Sequence, residues 1–178
     1  GIQGGRDEVQ SKLEKALNAG IKIGALWCQD WQGIKITYFG KQLNWSWKYD
    51  DELYPNLPDY IQSLNEQGIQ FLGYINPHLD VEGEMYQQAA ADNVLIKNDK
   101  DEIYHDVPST FSVATFDLTN PDTKEWVKKV IKENMINIGL AGWMADYSES
   151  MPVDARLHSD EDGKSYHNRF PVDWAQVN

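Results

Sequence analysis

Three short apolar runs in this sequence each exit into an acid: Asp30 after Ile21–Trp27, Asp80 after Ile69–Ile75, and Asp146 after Leu140–Ala145. A core strand has no structural need for a carboxylate at its tip, because an unpaired buried charge is costly. Acids delivered by strand ends to the mouth of an α/β fold stand where such folds hold their ligands. The sharpest case is Asp146-Tyr147-Ser148-Glu149. There Asp146 can serve as a nucleophile or base, and Glu149 can support it by holding a substrate hydroxyl or orienting its neighbours. The competing assignment is a capping or salt-bridged acid pair, and acids at barrel strand exits favour the functional one. In Gln29-Asp30-Trp31, Asp30 can accept two hydroxyl hydrogen bonds, flanked by an amide and a stacking ring, or it can be part of a loop turn.

Other chemistries lack their residues. His78, His105, His158 and His167 do not fall at metal-ligand spacing, and Cys28 is the single cysteine, so neither a metal nor another cofactor is expected. No glycine-rich phosphate loop follows a strand, and no Gly-x-Ser-x-Gly elbow occurs. The acidic run at 158–164 lacks the calcium-loop pattern and reads as a solvated loop.

The elements that must position these acids follow from periodicity. Residues 7–19 place Val9, Leu13, Ala16 and Leu17 on one helical face, with Gly20 as the stop. A strand over Ile21–Trp27 follows, then a long polar and aromatic loop over 32–56 with a hairpin about Gly40. Pro58 opens a helix ended by Gly68, and Ile69–Ile75 is the second strand. A short helix spans 83–92, and β-rich runs lie at Val94–Ile96 and Phe111–Phe116. Asn120 caps a helix over 121–138, Gly139 stops it, and Leu140–Ala145 is the third strand. Helix and strand alternate as in right-handed βα units, which fit a (β/α)₈ barrel or a doubly wound sheet. A whole barrel needs about 250 residues, so three such strands correspond to roughly its first half.

Composition narrows the partners. Sixteen basic and 28 acidic residues give a formal net charge of −12, which argues against nucleic acid and anionic membranes. No apolar run is long enough to span a bilayer and no signal-peptide pattern is present. With one cysteine, a reducing compartment is permitted, and a cytoplasmic location is the expectation. Seven Trp, nine Tyr and five Phe cluster after the apolar runs, where flat rings can stack on the C–H faces of sugars. For any single Trp, a place in the core or an interface is the better assignment.

Together these residues resemble a family. Trp143-Met144-Ala145-Asp146-Tyr147-Ser148-Glu149 looks like the nucleophile segment of glycoside hydrolase family 31, the α-glucosidase family. Asp117-Leu118-Thr119-Asn120-Pro121 is similar to the family's segment before the preceding helix, and His167-Asn168-Arg169-Phe170-Pro171 to its later His-Asn segment. Within the family the chain most resembles the sulfoquinovosidase branch, through Trp27 to Trp31 and Phe39-Gly40-Lys41-Gln42-Leu43-Asn44-Trp45-Ser46-Trp47.

The resemblance implies retaining α-glycoside hydrolysis on a partial (β/α)₈ barrel. Asp146 would be the nucleophile and Asp30 would bind sugar hydroxyls, with Trp143 and His167 as further substrate contacts. The positions matching the branch's sulfonate-binding set are Gln3, Gln29, Gln42 and Trp45, and Gln42 departs from it because the branch has arginine there. Lys41 is the candidate substitute cation. The family's acid/base Asp lies in a Trp-x-Gly-Asp type sequence beyond the His-Asn segment, and no such sequence occurs up to Asn178. Residues 1–178 are therefore expected to be the N-terminal part of a catalytic domain, truncated at the C-terminal end and inactive alone. Exposed strand edges would favour self-association. The alternatives are another retaining barrel enzyme, such as an α-galactosidase, and a non-catalytic carbohydrate-binding or degenerate barrel domain.

Overall fold

The computed structural model describes all 178 residues. Helix α1 (Gly5–Asn18) buries Val9 and Leu13. It leads to strand β1 (Ala25–Trp27). A two-stranded hairpin follows, β2 (Ile34–Thr37) and β3 (Gly40–Leu43), with the turn at Gly40 that the sequence suggests. Helix α2 (Leu57–Asn65), opened by Pro58, buries Leu57, Tyr60, Ile61 and Leu64. Then come β4 (Gln70–Ile75), β5 (His78–Asp80), α3 (Glu84–Ala91), β6 (His105–Asp106) and β7 (Val113–Thr115). Helix α4 (Pro121–Ile131) runs into a π-turn at Lys132–Ile136 and is followed by β8 (Gly142–Ala145). A 3₁₀ turn (Ser148–Ser150), α5 (Gly163–Tyr166) and α6 (Phe170–Val177) complete the chain.

The organising sheet is parallel, in the order β1-β4-β8. Ala25 pairs with Gln70, and Tyr74 with Met144. Ile2 adds a parallel bridge to Cys28 at the outer edge. Phe71 and Ile75 are completely buried and face the helices. On the opposite face Trp27 and Leu72 are half-buried and Met144 is 44% exposed. That face corresponds to the interior of a barrel, and these residues do not close it. No helix is long and apolar enough to cross a membrane.

Four features differ from the sequence-based expectation. The helix expected over 121–138 is α-helical only to Ile131 and continues as the π-turn, and the third strand starts at Gly142 rather than Leu140. The first strand starts at Ala25 rather than Ile21, because its partner β4 begins only at Gln70, after Gly68 has ended the helical turn. The irregular stretch between β4 and α4 contains an antiparallel sheet of its own, in the order β5-β7-β6. Its strands have two or three residues each, too few for a period-2 pattern to register.

Asn120 caps α4 by accepting from the Asp122 amide at 3.0 Å. At the far end Gly139 has φ +101°, and a Cβ there would lie 2.8 Å from Ile61 Cγ2. This turn aims the chain into β8. Gly139→Ala is therefore expected to cost about 1–3 kcal/mol of stability through backbone strain. The denaturation midpoint of the intact protein reads it, and an unchanged midpoint would mean that the turn does not need glycine.

Candidate active site

The ladder between β4 and β8 extends past the last paired residue, because the Asp146 amide donates to the Ile75 carbonyl at 2.9 Å. Asp146 thus leaves the sheet with its backbone still pinned. Tyr74 and Met144 are paired, so their side chains share a face, and Asp146 lies two residues on, on the same side. The Tyr74 hydroxyl donates to Asp146 Oδ2 at 3.0 Å. Burial, with the Asp146 charge adding to it, raises the Tyr74 pKa well above the usual phenol value, which keeps this group a donor. The next residue, Tyr147, has φ 59°, an uncommon left-handed conformation for a non-glycine residue. It swings the chain off the sheet into the 3₁₀ turn.

Asp146 opens onto a cleft of about 220 Å³ lined by Gln29, Gln42, Leu43, Trp45, Tyr74, Ser109 and Tyr147. Beside it Trp45, Phe111 and Val113 form a small apolar cluster, separate from the main core, with Leu43 and Tyr147 packed on it. The Trp45 ring lies 5.0 Å from Phe111 and 5.2 Å from Tyr147. The hairpin that brings Gln42 is fastened from the opposite strand. Lys35, in register with Gln42, binds Asp80 at 2.6 Å and Glu82 at 2.7 Å and sits over the Phe111 ring. A concave site with a carboxylate, amides and aromatic walls has the chemistry to hold a sugar ring.

Of the sequence candidates, Asp146, Gln29, Gln42 and Trp45 meet at this cleft. Gln3 adjoins it, its amide donating to Gln29 Oε1 at 3.2 Å. The Ile2 bridge to Cys28 puts it there. The others are engaged elsewhere. Asp30 is completely buried and accepts from the Gly4 amide at 2.7 Å, the Gly5 amide at 3.2 Å and the Tyr54 hydroxyl. In this structure it ties the start of α1 to the end of β1, with no oxygen facing the cleft. Trp31 is equally buried and donates to the Tyr74 carbonyl at 2.7 Å. Trp143 donates to Asn178 Oδ1 at 2.8 Å and packs toward the main core. Adjacent strand residues point to opposite faces, so Trp143 faces away from Met144 and Asp146. His167 is bonded through Nδ1 to the Met151 carbonyl at 2.6 Å. Glu149 is exposed on the 3₁₀ turn and lies outside the cleft lining. Lys41 is next to Gln42 on β3, exposed and on the other face of the hairpin, so it does not replace an arginine at that position.

Tyr74, Ser109, Tyr147 and Leu43 complete the lining and escape sequence reasoning. For Tyr74 a signal exists: it occupies the same face as Leu72, two residues before it, at the carboxyl end of an apolar strand. Cys28 is buried, and burial, with the Asp30 charge adding, pushes its thiol up to about 12, so it is no nucleophile near neutrality. No group of three His, Cys, Asp or Glu side chains is arranged to hold a metal ion. A second, polar cleft of about 160 Å³ runs between residues 93–101 and 156–160. Its buried acid, Asp117, is satisfied by the Thr119 amide and hydroxyl and the His158 amide.

Comparison with known proteins bears on this geometry. Residues 3–178 match the family described as "Glycosyl hydrolases family 31 TIM-barrel domain". The chain is 42% identical over 178 residues to the sulfoquinovosidase of Escherichia coli (strain K12), covering 100% of this chain and 26% of that protein. It is 39% identical over 180 residues to the sulfoquinovosidase of Agrobacterium fabrum, covering 99% and 27%. A solved GH31 sulfoquinovosidase from E. rectale, in complex with the aza-sugar inhibitor IFGSQ, superimposes with a TM-score of 0.96 at 42% identity, over 99% of this chain and 27% of that one. The chain thus spans about a quarter of the length of the curated relatives it matches.

The anchoring of Asp30 has a measurable consequence. Asp30→Ala leaves two amides and a phenol without their acceptor and is expected to destabilise the intact protein by about 2–4 kcal/mol. A loss confined to substrate affinity, at unchanged stability, would instead return Asp30 to a binding role.

Proposed function

The chain belongs to glycoside hydrolase family 31, and we propose that it supplies the nucleophile of a retaining α-glycoside hydrolase acting on α-sulfoquinovosides or α-glucosides. The observation that carries this reading is Asp146 itself: a carboxylate at a strand tip, bonded by Tyr74 and open to an aromatic cleft. In such a reaction Asp146 attacks the anomeric carbon while the bond to the leaving oxygen breaks. A second carboxylic acid protonates that oxygen. The resulting glycosyl-enzyme is resolved when the same second carboxyl deprotonates a water, which attacks the anomeric carbon and releases Asp146. Tyr74 holds Oδ2, leaving Oδ1 for the sugar, and its hydrogen bond favours the carboxylate as leaving group in the second step.

Retaining enzymes keep their two carboxyls about 5–5.5 Å apart. Asp146 is the one carboxylate in the cleft lining. We assign the acid/base to a part of the complete protein outside residues 1–178, and this segment alone is expected to show no useful turnover.

The sulfonated sugar is favoured by the relatives' 42% and 39% identity and by the juxtaposition of Gln3, Gln29, Gln42 and Trp45. The neighbouring cations are committed or averted: Lys35 to two carboxylates, Lys41 to the opposite face. An anionic group here would rest on neutral amide donors, which bind anions less strongly than a guanidinium.

Two experiments on the complete protein test the reading. Asp146→Asn should lower kcat on an aryl α-glycoside by about 10³-fold or more without unfolding the protein; near-normal turnover would contradict the nucleophile assignment. Gln42→Arg should raise the kcat/KM ratio of aryl α-sulfoquinovoside over aryl α-glucoside by about tenfold, the effect of one charge-assisted hydrogen bond. An unchanged ratio would mean that Gln42 does not meet the anion.

A further inference from the structure

His78 is a buried titratable side chain beside the cleft, although it does not line it. It stands at the start of β5, and its ring is bonded at both nitrogens. Nδ1 is 2.8 Å from Thr115 Oγ1, on the paired strand β7, and Nε2 is 2.7 Å from Ser150 Oγ. The Ser150 hydroxyl in turn donates to the Tyr147 carbonyl at 2.7 Å. Ser150 has one hydroxyl proton, and the Tyr147 carbonyl takes it. Ser150 must therefore accept from His78, which puts the imidazole proton on Nε2 and leaves Nδ1 to accept from Thr115. Each member of this relay has its proton accounted for with the ring neutral. Burial lowers the His78 pKa to about 3, so the ring stays neutral at ordinary pH.

The relay ends on the residue that follows Asp146. Tyr147 is held in a left-handed conformation, φ 59°, that costs a non-glycine residue about 1–2 kcal/mol. Such a conformation persists where neighbouring groups over-determine it. The Ile75 carbonyl fixes the Asp146 amide on one side of the residue; on the other, the Tyr147 carbonyl is held by the Ser150 amide at 3.2 Å and, more closely, by the relay through the Ser150 hydroxyl. The same imidazole stacks on Trp45, with ring centroids 5.6 Å apart and planes at 22°, and meets Tyr147 edge-on at 6.3 Å. One buried ring therefore braces both the exit of the nucleophile strand and the aromatic wall of the cleft.

We infer that His78 is a positioning residue for Asp146, acting through Ser150 on the Tyr147 backbone. This inference rests on the assignment of Asp146 as nucleophile. Ser150 transmits one effect, the orientation of the strand exit. His78 transmits two, since it also supports Trp45.

The complete protein, assayed on an aryl α-glycoside, separates these. Ser150→Ala is expected to lower kcat about 10–100-fold, the scale of a small misplacement of a reacting group, with KM unchanged. His78→Ala should lower kcat by a similar factor and also raise KM. The double variant should fall no further in kcat than the worse single one, because both break one relay. His78→Gln, which can present an amide N–H to Ser150, should recover most of the kcat lost in His78→Ala. Wild-type kcat in Ser150→Ala, or additive losses in the double variant, would overturn the inference. Ser150 is half-buried on a short turn, so its replacement keeps the test available should the His78 variants fail to fold. Asp146→Asn serves as the separate control: if that variant stays active, the nucleophile assignment fails, whatever Ser150→Ala shows.

Discussion

The parallel register between β4 and β8 is the constraint on which the rest of the cleft depends. Pairing Tyr74 with Met144 puts the phenol and the Asp146 carboxylate on one face. The Ile75 carbonyl then carries the ladder one residue beyond the strand, to the Asp146 amide. A slip of one residue would turn Asp146 toward the helices and Trp143 toward the cleft. The register is held on the other face by Phe71 and Ile75, both fully buried. Core packing on one side of the sheet thus fixes the chemistry on the other.

A second support lies outside the parallel sheet. The antiparallel β5-β7-β6 sheet looks like an ornament of the loop before α4, yet it brings His78 and Thr115 face to face and contributes Val113 to the apolar cluster under Trp45. The hairpin bearing Gln42 is fastened to it by the Lys35–Asp80 ion pair, which has both side chains largely shielded from solvent. Pairs of this kind define geometry better than they add stability. The cleft is therefore assembled from three separately braced parts: the strand tip with Asp146, the hairpin with Gln42, and the small sheet with His78.

The sequence disclosed the parts of this arrangement that follow a period or a punctuation mark. Helices α1, α2, α3 and α4 show in their apolar spacing, the Asn120-Pro121 entry opens the last of them, and Gly139 follows the π-turn that continues it. Asp146 was legible because a carboxylate at the end of an apolar run needs a reason. Asp30 shared that signal and is bonded to the Gly4 and Gly5 amides and the Tyr54 hydroxyl. The sequence contains no sign that the amides of Gly4 and Gly5 would fold back on it from 26 and 25 residues away, respectively. Trp143 and His167 sit in the right motifs but point elsewhere, since a motif conveys order along the chain and not the face of a strand. Tyr74, His78 and Ser150 were hidden for a related reason: their contacts arise from pairings between elements distant in sequence.

The central claim is that Asp146 forms a covalent bond to the sugar. The complete protein can be incubated with a fluorinated, activated α-glycoside that forms the glycosyl-enzyme quickly and releases it slowly, then digested and analysed by mass spectrometry. One added sugar mass is expected on the peptide containing Asp146, absent in Asp146→Asn. Label on another carboxylate, or turnover with inversion at the anomeric carbon and no label at all, would contradict it.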